Sequence, residues 1–114
     1  QGGSNIIKLR GRSSFQSPAY NAVKMIEAAM GGEPFTLPAG CYVNCDKCGY
    51  KNVMMAMPST IDKTGVHFTA PTGTEEEMAS LNKSYEHLCK MRDEIVALGI
   101  VPAVEEWTKM NPNL

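Results

Sequence analysis

Apolar residues change their spacing along this chain, and each change marks an element. Ile6, Ile7 and Leu9 make Ser4–Arg10 read as the end of a helix that Gly11 stops. Further on, Ala19, Ala22, Val23, Ile26, Ala29 and Met30 recur at the three/four spacing of one buried helical face. Ser17 is the expected N-cap, Pro18 the first helical residue, and Gly31-Gly32 the stop, which predicts a helix over Pro18–Met30. The period then falls to two: Phe35, Leu37, Ala39, Cys41 and Val43 alternate with Thr36, Pro38, Gly40 and Tyr42, the pattern of a strand. Pro38 lacks a ladder donor, so this strand should lie at an edge or carry a bulge. Asn44–Asn52 is polar and turn-rich, and Val53–Met57 reads as a buried strand running past Pro58 to Ile61. Asp62-Lys63-Thr64-Gly65 is a turn, with Val66–Thr69 returning. Connections this short predict three strands in an antiparallel meander.

The last long element is the most sharply marked. Thr74 caps it and Glu77, three residues on, completes a capping box, with Glu75 and Glu76 favouring the dipole. Met78, Leu81, Tyr85, Leu88, Ile95 and Val96 trace its apolar face, interrupted at Arg92, and Gly99 ends a helix over Thr74–Leu98. Ile100–Val104 and Trp107 are expected to cover one end of the core. Met25, Met30, Met54, Met55, Met57, Met78 and Met91 read as core filling.

Composition narrows the class. The chain's 114 residues suit one domain with one core, and 43% apolar with 20% charged residues is ordinary for a globular protein. A formal charge of −1 gives no electrostatic reason to expect nucleic acid or an anionic membrane. There is no apolar run near the ~20 residues of a membrane span, and the polar start is unlike a signal peptide. Four cysteines are too few for a disulfide scaffold, so reduced thiols and a cytoplasmic location are expected.

Three places carry candidate chemistry. Gly11–Ser17 sets Ser13, Ser14 and Ser17 in the bend before a helix, where free amides and the positive end of the dipole suit an anion. Turn or capping hydrogen bonds are the alternative employment for each serine. Arg10 and Arg12 flank the bend. His67, on the hairpin, is expected to be exposed and His87, on the long helix, partly exposed; neither reads as a general base. Cys45-Asp46-Lys47-Cys48 has the spacing of half a zinc site or of a redox pair, or it is simply two loop thiols.

Ile6–Arg10 followed by Gly11-Arg12-Ser13-Ser14-Phe15, the Pro18 helix, Phe35-Thr36-Leu37-Pro38, the Leu88–Glu94 helical segment and the Asn111–Leu114 tail together resemble the lactate/malate dehydrogenase family. The likeness is to its C-terminal half and covers nearly the whole chain as one domain, 1–114. It implies an α+β fold, a twisted and mainly antiparallel sheet packed against two long helices. The activity implied is NAD-dependent interconversion of malate and oxaloacetate, in the tricarboxylic acid cycle. The family's dinucleotide-binding glycine loop, its substrate arginines and its Gly-Gly-His-Gly-Asp segment do not occur in this chain. The expectation is therefore part of an enzyme, inactive alone, with no catalytic and no metal-binding residue. Its N-terminal Rossmann domain and further subunits would be its partners. By the resemblance, Ser13 and Ser14 fall beside the substrate, and Ser17 and Pro18 fall where the helix start approaches the nicotinamide. The Cys45/Cys48 loop departs from the family pattern.

Three other readings stay open. A lactate dehydrogenase domain is the nearest rival in substrate, and a zinc-binding interaction module built on Cys45 and Cys48 is the non-enzymatic one. A free-standing domain that pairs with itself is the third.

Overall fold

A computed structural model describes residues 2–114. The chain folds into helices α1 (Gly2–Arg10), α2 (Gln16–Ala29), α3 (Glu75–Ala97) and α4 (Val104–Met110), with strands β1 (Phe35–Thr36), β2 (Ala39–Cys45), β3 (Tyr50–Met57), β4 (Ser59–Asp62) and β5 (Gly65–Phe68). This is the α+β architecture expected, with antiparallel pairing of β1 with β4 and of β2 with β3. It divides into two compact units, one made of the chain through Thr36 with Thr60–His67, the other of Leu37–Ser59 with Phe68–Leu114.

In the first unit Gly11 ends α1 at φ +71°, its N–H donating to the Ile7 carbonyl at 2.8 Å. Helix α2 starts earlier than its cap signal suggests. Phe15 is its N-cap and no side chain caps it, so Ser17 and Pro18 sit at the second and third helical positions. Pro18 is tolerated there because no amide of the first turn has an intrahelical acceptor; the first such bond runs from Ala19 N–H to the Phe15 carbonyl, 3.0 Å. The buried face also differs from the expected one. Ala28 is buried, with Asn21 and Met25 half-buried on the same side, whereas Val23, Ile26 and Met30 are 61%, 59% and 84% exposed. Helix α2 meets β1, and β1 continues through β4 to β5 in a small sheet with Phe35 and Ile61 buried.

The two prolines shape the strands. The β2–β3 ladder runs from Cys45↔Tyr50, through an irregularity between Val43 and Cys45, to Ala39↔Met57, and stops where Pro38 and Pro58 follow, since neither can donate. Each long strand expected from the pattern is thus two: Phe35–Val43 becomes β1 and β2, and the run past Pro58 becomes β3 and β4. Strand β3 also begins earlier, at Tyr50, inside the stretch read as a polar turn.

The second unit holds the main core. Cys41, Val43, Tyr50, Val53, Met55 and Met57 form it, and Phe68, Leu81, Tyr85, Leu88 and Cys89 pack against it. Strand β3 is covered on one side by α3, so it alternates rather than being buried throughout: Met55 and Met57 point inward while Met54 is 62% exposed. Of the methionines read as core, Met30, Met54 and Met91 are exposed. Helix α3 keeps its expected start. Glu77 N–H donates to the Thr74 hydroxyl at 3.2 Å, and the Thr74 N–H donates to the Glu77 carboxylate at 2.8 Å. Leu98 caps its other end and Gly99 follows at φ +70°.

The break in the α3 apolar face at Arg92 has a structural use. Its guanidinium donates to the carbonyls of Lys51 and Asn52, at 3.2 and 3.1 Å, and pairs with Asp93 at 2.8 Å. Asn52 stands at φ +54°, a left-handed position that asparagine accepts more readily than most residues, and its side chain receives the Tyr42 hydroxyl at 2.6 Å. Trp107 of α4 lies 6.3 Å from the Tyr42 ring and donates its indole N–H to the Pro102 carbonyl at 2.8 Å.

Candidate functional site

The bend between α1 and α2 brings the sequence candidates together. Ser13 is exposed, Ser14 half-buried, and Ser17 and Pro18 exposed on the opening turn of α2. Both arginines lie over one aromatic ring: the guanidinium carbons of Arg10 and Arg12 are 5.9 and 5.1 Å from the Phe15 centroid. Arg10 also donates to the Gln16 side-chain oxygen at 3.2 Å. An aromatic face attracts a guanidinium, so Phe15 holds two positive groups beside the bend. Among the described residues, no hydrogen bond occupies the hydroxyls of Ser13, Ser14 or Ser17. Capping is thus not what Ser17 does here.

Chemically this is a largely exposed bend whose groups suit an anion. It offers hydroxyl donors, two guanidiniums, and the amides of Gln16 and Ser17, which no intrahelical carbonyl uses. His67 is exposed as expected, but its ring is taken up by Thr64 at 2.7 Å and lies 3.6 Å from Asp62. Asp62 is itself held below the usual carboxylate range, first by the Thr64 hydroxyl, then by the Thr64 amide and by His67. These contacts lock a surface turn. His87 is exposed, more so than expected.

The second candidate is corrected by the structure. Cys45 and Cys48 are not free thiols; they form a disulfide across the β2–β3 turn, whereas Cys41 and Cys89 are free. The argument for a cytoplasmic location from reduced thiols does not extend to this pair. No group of three or more His, Cys, Asp or Glu side chains that could hold a metal occurs among the described residues. Among the described residues, no helix is long and apolar enough to cross a membrane.

Comparison with known proteins gives these features a context. The sequence profile of the lactate/malate dehydrogenase alpha/beta C-terminal domain matches residues 1–98. A malate dehydrogenase of Geobacillus kaustophilus is 33% identical over 88 residues, covering 75% of this chain and 28% of that protein. Another, from Sorangium cellulosum, is 30% identical over 98 residues, or 85% of this chain and 31% of that protein. One from Anoxybacillus flavithermus is 32% identical over 88 residues, again 75% of this chain and 28% of its own length. The chain therefore spans less than a third of the length of these curated relatives.

Proposed function

The chain belongs to the lactate/malate dehydrogenase family, and we propose that it serves a malate dehydrogenase as its C-terminal, substrate-side domain. The match over residues 1–98 carries this reading, and the exposed bend supplies its chemistry. The proposed reaction is the reversible oxidation of malate to oxaloacetate. Bound NAD supplies the hydride acceptor, and the proton of the malate hydroxyl goes to a base that this chain does not contain.

The chain's own residues act as one wall. Ser13 is compact enough to leave room for the second carboxylate of a four-carbon acid and donates its hydroxyl to it. Ser14 lines the same bend, and the positive field of Arg10 and Arg12 over Phe15 favours a dianion there. At the opening of α2, Ser17 and Pro18 are exposed and would face the nicotinamide of the bound cofactor. Nothing in this chain is asked to hold the pyrophosphate. The uncovered apolar face of α2, with Val23, Ile26 and Met30, is where we place the N-terminal Rossmann domain or a second subunit. Malate is favoured over lactate because the curated relatives are malate dehydrogenases.

The test is a chimera in which residues 1–98 replace the matching segment of the Geobacillus kaustophilus enzyme. NADH consumption with oxaloacetate, exceeding that with pyruvate, is expected, and Ser13→Tyr should lower kcat/KM at least tenfold by filling the carboxylate space. A folded, NADH-binding chimera with no turnover, or one indifferent to Ser13→Tyr, would overturn the assignment. The isolated chain should show no turnover at all.

A further inference from the structure

The Cys45–Cys48 pair has no part in that reaction, yet the turn around it is built in detail. The Cα atoms are 5.5 Å apart, and both cysteines are half-buried against the core at a turn whose Asp46, Lys47 and Gly49 are exposed. The Cys48 amide donates to Cys45 Sγ at 3.2 Å. We propose that Cys45 and Cys48 form a reversible thiol–disulfide exchange site, at which an outside thiol attacks Cys48 Sγ and Cys45 leaves.

The assignment of roles follows from the amide. A hydrogen-bond donor aimed at a sulfur stabilises its thiolate, and the more stable thiolate leaves faster. Cys45 has that donor in the Cys48 N–H. The co-reactant is a small thiol of the glutathione class. Its thiolate forms a bond to Cys48 Sγ, the Sγ–Sγ bond breaks, and the electron pair goes to Cys45, which then takes up a proton. A second thiol attacks the sulfur of the mixed disulfide and frees Cys48. In sum, two electrons and two protons reach the protein, and two small thiols become one disulfide.

Reversibility needs the turn to survive in the dithiol state, and contacts that do not involve sulfur hold it. Gly49, at φ +77°, donates its N–H to the Cys45 carbonyl at 3.0 Å. Tyr50 is buried and donates its hydroxyl to Asn82 of α3 at 2.7 Å, and the Lys51 amide donates to the Tyr85 hydroxyl at 3.2 Å. Lys51 also pairs with Asp46 across the turn. The two sulfurs therefore stay near each other after reduction. A metal is the other use of such a pair, but within this chain it would find only two ligands among the described residues.

The experiment equilibrates the whole chain with reduced and oxidised glutathione at graded ratios, quenches with N-ethylmaleimide, and maps the labelled cysteines by mass spectrometry. Labels at Cys45 and Cys48 should appear together as the buffer becomes reducing and vanish together on reoxidation, with the far-UV circular dichroism unchanged. Cys45→Ser should accumulate a glutathione adduct at Cys48. At neutral pH, Cys45 in Cys48→Ser should be alkylated several-fold faster than Cys48 in Cys45→Ser. A disulfide that resists glutathione and yields only to dithiothreitol would overturn the proposal in favour of a structural bond. So would the reverse order of alkylation, or a tightly held zinc or copper(I) that protects both thiols from label.

Discussion

Replacing Arg92 tests how the hairpin is tied to helix α3, and its cost can be worked from the contacts. The guanidinium makes two bonds to backbone carbonyls and one ion pair. The Lys51 carbonyl is exposed, so water replaces that bond at little cost. The Asn52 carbonyl is partly buried, and losing a charged donor there costs about 1.5 kcal/mol. Asp93 is 64% exposed, which puts the ion pair at the low end, about 0–0.5 kcal/mol. The Arg92 side chain itself is 20% exposed, so its methylenes are largely removed from water, adding about 1 kcal/mol. Side-chain entropy and the better helix propensity of alanine return roughly 0.5–1 kcal/mol. Arg92→Ala should therefore destabilise by about 2 kcal/mol, or on the order of 8 °C in Tm for a chain of this length. Arg92→Met keeps the stem and should lose about half of that. Urea unfolding followed by circular dichroism measures both. If Arg92→Ala and Arg92→Met unfold at the wild-type midpoint, the guanidinium does not hold the hairpin, and its place on the apolar face of α3 needs another reason.

Four more outcomes are expected. Met57 is 1% exposed and Met54, three residues earlier on the same strand, is 62% exposed. Met57→Ala should cost about 2–5 kcal/mol and Met54→Ala under about 0.5 kcal/mol, read as urea midpoints. Thr74→Ala removes the cap of α3 and should cost about 1 kcal/mol by thermal unfolding. The Thr74 amide holds the Glu77 carboxyl below its usual range, so its folded pKa lies under the unfolded one. That contribution is complete above the unfolded pKa and disappears as pH falls through the folded pKa, so wild type and Glu77→Gln should converge in stability on acidification. Gly99→Ala meets no neighbouring atom but must adopt φ +70°, and should lose about 1 kcal/mol through the backbone alone.

Helix α3 was legible because its signals are local. Thr74, Glu77 and Gly99 act through hydrogen bonds and dihedrals within a few residues, and they do in the structure what their spacing predicts. The prolines were legible in kind but not in consequence. Pro38 announces a lost donor, but that Pro58 should end the same ladder on the facing strand depends on register, a non-local property. The cysteine spacing permitted an oxidised pair without selecting it. What selects it is the β2–β3 turn, which brings together sulfurs that sequence alone leaves as two loop residues.

Helix α2 shows the deeper limit. Its three/four spacing is real, but spacing identifies a face suited to burial and carries no information about what buries it. In this chain α2 turns Ala28, Asn21 and Met25 inward, and the wider stripe of Val23, Ile26 and Met30 faces out. Ala28 is small, which lets the helix approach β1 closely on that side. The larger side chains opposite have no counterpart within the described residues. A chain spanning less than a third of its relatives' length would leave such a stripe uncovered if the covering surface belongs to another part of the protein. The same reasoning applies to Ser13. A hydroxyl at an open bend beside two guanidiniums gains its chemistry only when a second surface closes over it. Its exposure is therefore what the proposed role requires, and burial beneath this chain's own side chains would have removed the role.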